Sequence, residues 1–190
     1  MSRRAWQAVV LLAATVTTGH MAGVYVGWSH TIMPGLHATD GRTFVSAFGA
    51  LNLATYNPLF MLAFTGALVG TAVAALLHLR AGERSRLFWT AGAFVLYLVT
   101  VVVTMVVHLP LNDALSVARD AAQESRWVAW NDVRSVASTA AFACLAWALV
   151  LHGRAEVSRG RTDRDGAASS SPGRPPGRGA APSPPAAPGR

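Results

Sequence analysis

Val95-Leu96-Tyr97-Leu98-Val99-Thr100-Val101-Val102-Val103-Thr104-Met105-Val106-Val107-His108-Leu109-Pro110 forms the middle and end of a run, residues 87–112, that carries no charged side chain. A helix needs roughly 20 apolar residues to cross the hydrocarbon of a bilayer. A helix also satisfies every backbone N–H and C=O within the segment, as lipid requires. Three further charge-free runs, 5–39, 43–79 and 135–153, extend on either side. Of 190 residues 52% are hydrophobic and 13% charged, against about 25% charged in a soluble domain. The chain therefore reads as all-α and integral to a membrane. We expect an up-down four-helix bundle over residues 1–152, with spans near 6–31, 56–79, 87–109 and 132–152. Residues 43–53, apolar but preceded by turn signals, are expected to form a short interfacial helix that leads into the second span.

All sixteen basic residues are arginine, and their placement argues for topology signals over nucleic-acid binding. Arg3 and Arg4, then Arg80, Arg84 and Arg86, then Arg154 and Arg159 mark one side; the loop at 32–55 has only Arg42. Short loops rich in arginine stay in the cytoplasm, so we expect a multi-pass protein of the cell membrane with both termini inside. Arg3-Arg4 before an apolar run also fits a secretory signal peptide. The run continues through Trp28, however, which favours a span. Residues 153–190 hold seven prolines, seven glycines and no aromatic residue, a composition that cannot bury a core and predicts a disordered tail. The charge of that tail would draw it weakly to anionic lipid.

Two faces carry polar groups. Tyr97, Thr100, Thr104 and His108 share one side of the third helix, and Asn131, Arg134, Ser135 and Ser138 one side of the fourth. Threonines in such a stripe often bond their own backbone. At 1.5 Å per residue, Arg86 to His108 covers about 33 Å and Arg154 back to Arg134 about 30 Å. The same count brings Asn57, Asn112, Asn131 and His30 to the outer boundary. Arg134 is the strongest candidate, because a charge at the apolar boundary needs a partner or a wet cavity unless it snorkels to the headgroups. Asn112 and Asn131 also fit helix caps. Gly19, Gly23 and Gly27 make a small-residue stripe suited to close packing in the bundle or to a homo-oligomer.

Six histidines raise metal and haem chemistry. His78 and His152 end helices, where a cation suits the C-terminal dipole. His30 and His108, at similar depth, are the pair to weigh as axial haem ligands. No His or Cys spacing marks a metal cage, and Cys144 is alone. We therefore expect no metal site and no cofactor.

Pro110-Leu111-Asn112-Asp113-Ala114-Leu115, followed by Trp130-Asn131-Asp132-Val133-Arg134, resembles the paired motif of the anthrone-oxygenase-like family of small four-helix membrane proteins. The glycine-rich first helix, Gly27 to Pro34, is similar too, and the resemblance covers roughly residues 8–152. Members commonly carry asparagine where this chain has His108. The resemblance implies oxidation of an anthrone-like or other small aromatic, polyketide-like substrate by O2 without a dedicated redox cofactor. It assigns His108 as base with His30 in reserve, and Arg134 as electrostatic stabiliser. Asn112 and Asn131 would position the substrate and Trp130 would stack on it, with Asn57 and Tyr97 completing the binding set. The competing readings are a non-enzymatic membrane subunit that binds lipid, a quinone or a protein, and a haem-carrying electron-transfer protein. Membrane lipid is an expected partner in each case; nucleic acid is not.

Overall fold

The structure, a computed structural model, describes residues 2–169. Within them the chain is helical, with no strand: α1 (Arg3–Gly27), a π turn (Trp28–Ile32), α2 (Met33–His37), α3 (Gly41–Ala54), α4 (Pro58–Ala81), α5 (Arg84–Val103), a second π turn (Thr104–His108), α6 (Leu109–Val117) and α7 (Ala121–Ser169). Four segments are long and apolar enough to cross a membrane: Arg3–His37, Pro58–Ala81, Arg84–Val117 and Ala121–Arg159. Residues 170–190, the greater part of the segment read as a disordered tail, lie outside the described residues.

Neighbouring spans run antiparallel. Gly70 of α4 meets Ala14 of α1, while Gly66 meets Thr17. On the other side, Gly19 of α1 meets Phe142 of α7 and Ser29 meets Ser135. Trp89 of α5 packs on Trp147, and Thr104 meets Arg134. The result is the up-down bundle. Its main core joins Leu11, Ala14, Met21 and Tyr25 of α1 to Ala67, Ala74, Ala93, Tyr97, Ala141 and Leu145. Lipid offers no hydrophobic drive for helix association, so close packing and hydrogen bonds must supply it. The closest approach uses α4, where Ala63, Ala67, Thr71 and Ala74 repeat every third or fourth residue on the buried face. A methyl group on Gly70 would stand 3.1 Å from the Ala14 Cβ and 3.2 Å from its Cα. The glycine stripe of α1 contributes less than its spacing implies. Gly19 abuts the Phe142 ring, but a side chain at Gly23 or Gly27 would meet nothing within 4 Å.

Prolines account for the main departures from the expected boundaries. A helical proline lacks an N–H and its ring collides with the carbonyl four residues back, so spans ending before Pro34 and Pro110 were the natural expectation. Instead both helices widen by one residue. Met33 N–H bonds the Trp28 carbonyl and Leu109 N–H bonds the Thr104 carbonyl, five residues back in each case. Each chain then passes through its proline and continues to His37 and Val117. The fourth span begins at Ala121 rather than near 132, started by the Asp120 carboxylate, which accepts from Gln123 N–H at 2.8 Å.

Caps fix the remaining ends. Asn57 caps α4 with Pro58 in the first turn, its Oδ1 accepting from Phe60 N–H at 2.9 Å. Gly82, at φ 69°, closes the same helix in the left-handed region. The expected interfacial helix is α3, capped by Asp40. Its carboxylate accepts from the Thr43 hydroxyl at 2.6 Å and from the Arg42 and Thr43 amides. The Thr43 hydroxyl, with these amides, holds the Asp40 carboxyl below its usual range. A second core, of Met33, Leu36, Phe44, Phe48, Leu111, Leu115 and Trp127, forms where α2, α3 and α6 cover one end of the spans. Buried Glu124 ties it together. His37 Nδ1 donates to Glu124 at 2.7 Å and Arg119 Nε at 3.0 Å, while the Arg119 guanidinium lies 4.7 Å from the Phe44 ring centre. At the other end His78 Nδ1 donates to its own Ala74 carbonyl, and Arg86 joins Glu83 to His152.

Two outcomes follow. Gly70→Ala should lower the thermal midpoint of the detergent-solubilised protein by forcing α1 from α4. Gly23→Ala should leave it unchanged or raise it, since alanine favours helix by up to about 1 kcal/mol over glycine; equal effects would contradict the packing. A depressed carboxyl stabilises above its unfolded value near pH 4 and loses that contribution as the pH falls through the lowered folded value. Amide protection factors over residues 41–54, which correct for the slower intrinsic exchange in acid, should therefore fall on acidification. Asp40→Ala should show the lowered protection already at neutral pH.

Candidate functional site

Trp127, Asn131 and Arg134 follow one another on a single face of α7 at offsets of four and three. The Asn131 amide is fully used. Its Nδ2 donates to the Tyr25 carbonyl at 2.9 Å and to Ser29 Oγ at 2.7 Å, while Oδ1 accepts from Arg134 Nη2 at 2.7 Å. These donors and acceptors fix which way the amide points. Asn131 thus clamps α1 to α7 and aims the arginine. Arg134 Nη1 reaches Thr104 Oγ1 at 3.3 Å, and the guanidinium carbon lies 4.5 Å from the Tyr25 ring centre and 5.7 Å from that of Trp127. The side chain is 6% exposed, and none of the carboxylates among the described residues pairs with it. Its Nε is buried without a partner. An arginine at this depth is tolerated by neutral hydrogen bonds and aromatic faces alone, which leaves its charge uncompensated.

Arg134 forms part of the wall of a cavity of about 210 Å³. Trp28, Phe48, Phe60, Phe64 and Trp127 make the wall largely aromatic. Trp127 is held edge-on: its Nε1 donates to Asn112 Oδ1 at 2.6 Å, and its ring meets Phe48 at 5.9 Å and Trp28 at 5.3 Å. Asn52, Thr55, Thr104 and Asn112, with Tyr25, are among the other residues of the wall. Tyr56, Met61, Met105 and Leu109 both line the cavity and lie exposed on the outside of the bundle, so it opens sideways beside α4. Both π turns begin at a lining residue, Trp28 and Thr104, and such turns recur at functional sites.

The cavity gathers some of the residues expected from sequence and leaves others out. Arg134 and Asn112 line it. Asn131 and Tyr97 support it from behind, Tyr97 by donating to the Phe64 carbonyl at 3.2 Å. His108 is fully buried with its ring 5.0 Å from Trp127, and neither ring nitrogen has a hydrogen-bond partner. It is not among the residues that line the cavity. His30 is exposed and is not among the residues that line the cavity. Asn57 is exposed and engaged as a helix cap. Trp130 is 37% exposed and is not among the lining residues; the tryptophans of the wall are Trp28 and Trp127. Among the described residues no three His, Cys, Asp or Glu side chains converge.

Trp127 and Tyr25 are lining residues that sequence reasoning missed, while Thr104 was placed on the polar face of the third helix but not in the expected binding set. Extending the Asn131–Arg134 face one turn backward reaches Trp127 rather than Trp130, so the signal was present. Tyr25 stands three and four residues before Trp28 and Ser29, the same helical neighbourhood.

Asn112→Ala should cost about 1–3 kcal/mol of stability by leaving the buried indole N–H unpaired. Trp127→Phe added to that background should cost less than it does in the wild type; strictly additive losses would show that the bond contributes nothing.

The model of the family described as anthrone oxygenase matches residues 58–144, which include Asn112, Trp127, Asn131 and Arg134 and exclude the glycine-rich first helix. No curated protein and no solved structure matches the chain. Over residues 58–144 the chain is thus similar to the anthrone-oxygenase family, and its four long apolar helices are of the length and composition that cross a membrane.

Proposed function

We propose that the chain is a membrane oxygenase that takes a flat, fused-ring ketone or phenol of the anthrone type from the bilayer and oxidises it with O2. The observation that carries this reading is Arg134, a buried cation with no carboxylate partner at the wall of an aromatic cavity. An anthrone is in equilibrium with its phenol, and either loses a proton to give the same delocalised anion. A cation in a medium of low dielectric favours that anion strongly. The anion is electron-rich enough to react with O2 at the ring carbon. There a C–O bond forms, the resulting peroxide takes up a proton, and loss of water leaves a carbonyl. The sum is CH2 + O2 giving C=O and H2O, with O2 as the sole oxidant.

In this reading Arg134 stabilises the anion, Asn131 orients Arg134, and Asn112 holds Trp127 as a stacking wall. His108 supports Trp127 by packing, and water at the open mouth receives the substrate proton. The sideways opening supports access from lipid, where such a substrate concentrates. The arginine-rich flanks support a cell-membrane location with both termini cytoplasmic.

Oxygen uptake with a panel of anthrones is the test. Arg134→Gln should slow turnover by about 100-fold or more, the usual effect of removing an oxyanion donor, while His108→Phe should stay within a few-fold of wild type. Wild-type rates in Arg134→Gln would overturn the proposal. Ring binding with no oxygen uptake would make the chain a non-enzymatic binding subunit.

A further inference from the structure

A second groove, of about 300 Å³, lies between the α5–α6 junction and the start of α7. Val106, Val107, Pro110, Leu111 and Ala114 line it from one side, and Gln123 and Arg126 of α7 from the other. Val106 is 69% exposed, and Pro110 and Arg126 are exposed as well, so the groove is open to the surroundings of the bundle. Val106 and Val107 belong to the second π turn, Pro110 follows it, and Ala114 adds only a methyl group one turn on. Among the described residues no carboxylate pairs with Arg126. Arg119, at the same end, is by contrast spent on Glu124 and on the His37 and Thr39 carbonyls.

The length of α7 sets the depth of Arg126. The helix is uninterrupted from Arg126 to Arg154, a stretch of about 42 Å, and a bilayer with its headgroup layers measures about 40–45 Å. Trp130 lies one turn inward from Arg126 and Trp147 two turns inward from Arg154, both partly exposed, as tryptophan does at a membrane–water boundary. With α7 across a bilayer, Arg126 therefore stands among the headgroups. The bonds from Trp127 to Asn112 and from Arg134 to Thr104 fix the register of α7 against α5 and α6. Val106 and Val107 consequently lie deeper than Arg126, at the level of acyl chains.

We propose that this groove binds one phospholipid of net negative charge, with its phosphate on Arg126 and one acyl chain along Val106, Val107 and Pro110. A guanidinium meets phosphate through paired, charge-assisted hydrogen bonds. The apolar lining alone would select nothing, since every lipid tail is equally apolar. Selection comes from the charge: a choline headgroup carries its own cation beside the phosphate, whereas a glycerol headgroup leaves the phosphate to the arginine. The site does not rest on the reading of the aromatic cavity, which Thr104, Met105 and Leu109 line from other faces of the same segment.

Native mass spectrometry of the full chain in detergent counts lipids as they bind. Phosphatidylglycerol should form a one-to-one adduct about fivefold tighter than phosphatidylcholine with the same acyl chains, the factor expected of one arginine near an anionic headgroup. Equal affinities in the wild type, a comparison that needs no variant, would overturn the proposal. Arg126→Gln should bring phosphatidylglycerol down to the phosphatidylcholine value, and an unchanged preference would remove Arg126 from the site. Arg42→Gln deletes an exposed arginine outside the groove and should leave the preference intact; an equal loss there would reduce the effect to net charge. Ala114→Phe fills the groove and should weaken both lipids by about tenfold, and unaltered binding would show that no chain lies there. Displacement of the lipid by glycerol 3-phosphate at equal concentration would make this a site for free phosphate and overturn the lipid assignment. A dimer of the chain that Arg126→Gln breaks would give the groove to a second copy and overturn it likewise.

Discussion

The bond from Asn131 Oδ1 to Arg134 Nη2 is the constraint around which the site is arranged. A guanidinium inside a span would ordinarily face a carboxylate or stretch to the headgroups. Here a neutral amide holds it, and the other half of that amide is anchored on α1 by the Tyr25 carbonyl and the Ser29 hydroxyl. The charge is therefore located but not neutralised. Had an aspartate occupied position 131, the pair would be electrically closed and the cavity would offer nothing to an anion. Replacing the amide with an apolar residue would leave the arginine free to swing out of the wall. Asparagine alone among these options both fixes the cation and keeps its charge available.

The space in front of that cation depends on two prolines. Pro34 and Pro110 each follow the end of a π turn by the same interval, and each turn starts at a residue of the cavity wall. A regular helix at these points would meet the proline ring and kink or stop. Accommodating it by one extra residue keeps α1 and α5 continuous into α2 and α6. That continuity brings Asn112 within reach of the Trp127 indole and lets Phe48 of α3 close over it. The cap over one end of the bundle, bound through Glu124, Arg119 and His37, is thus a consequence of helices that do not end where their prolines stand.

The spans were legible because absence of charge over twenty or more residues has few other solutions in a chain of this composition. The helical rise is fixed, and of the residues grouped by that count Arg134 and Asn112 line one cavity while Asn131 bonds Arg134. Height along an axis, however, says nothing of the angle around it. His30 is exposed on its helix, and Asn57 is engaged in starting α4. The error with Trp130 has a related origin. Starting the fourth helix near 132 left both tryptophans in a loop, where the motif favoured Trp130. With the helix begun at Ala121, the phase set by Asn131 and Arg134 selects Trp127. His108 illustrates what periodicity does settle, for it lies on the buried face with Tyr97 and Thr100 as its spacing implies. Burial on the right face still did not bring it to the cavity wall.

An uncompensated cation and a sideways opening are better understood together than apart. On the function proposed above, a ligand that dissolves in lipid would arrive neutral, and a neutral aromatic would gain mainly from the apolar walls. Once inside, loss of a proton makes it an anion beside a guanidinium in a medium where Coulomb attraction is screened far less than in water. Release back to lipid in the charged form is then disfavoured, because hydrocarbon would have to accept the charge without the arginine. In that proposal the same cation that selects the anion would also retain it. Only a change that discharges the ring oxygen, such as re-protonation or conversion to a neutral carbonyl, restores solubility in the bilayer and lets the molecule leave by the route it came.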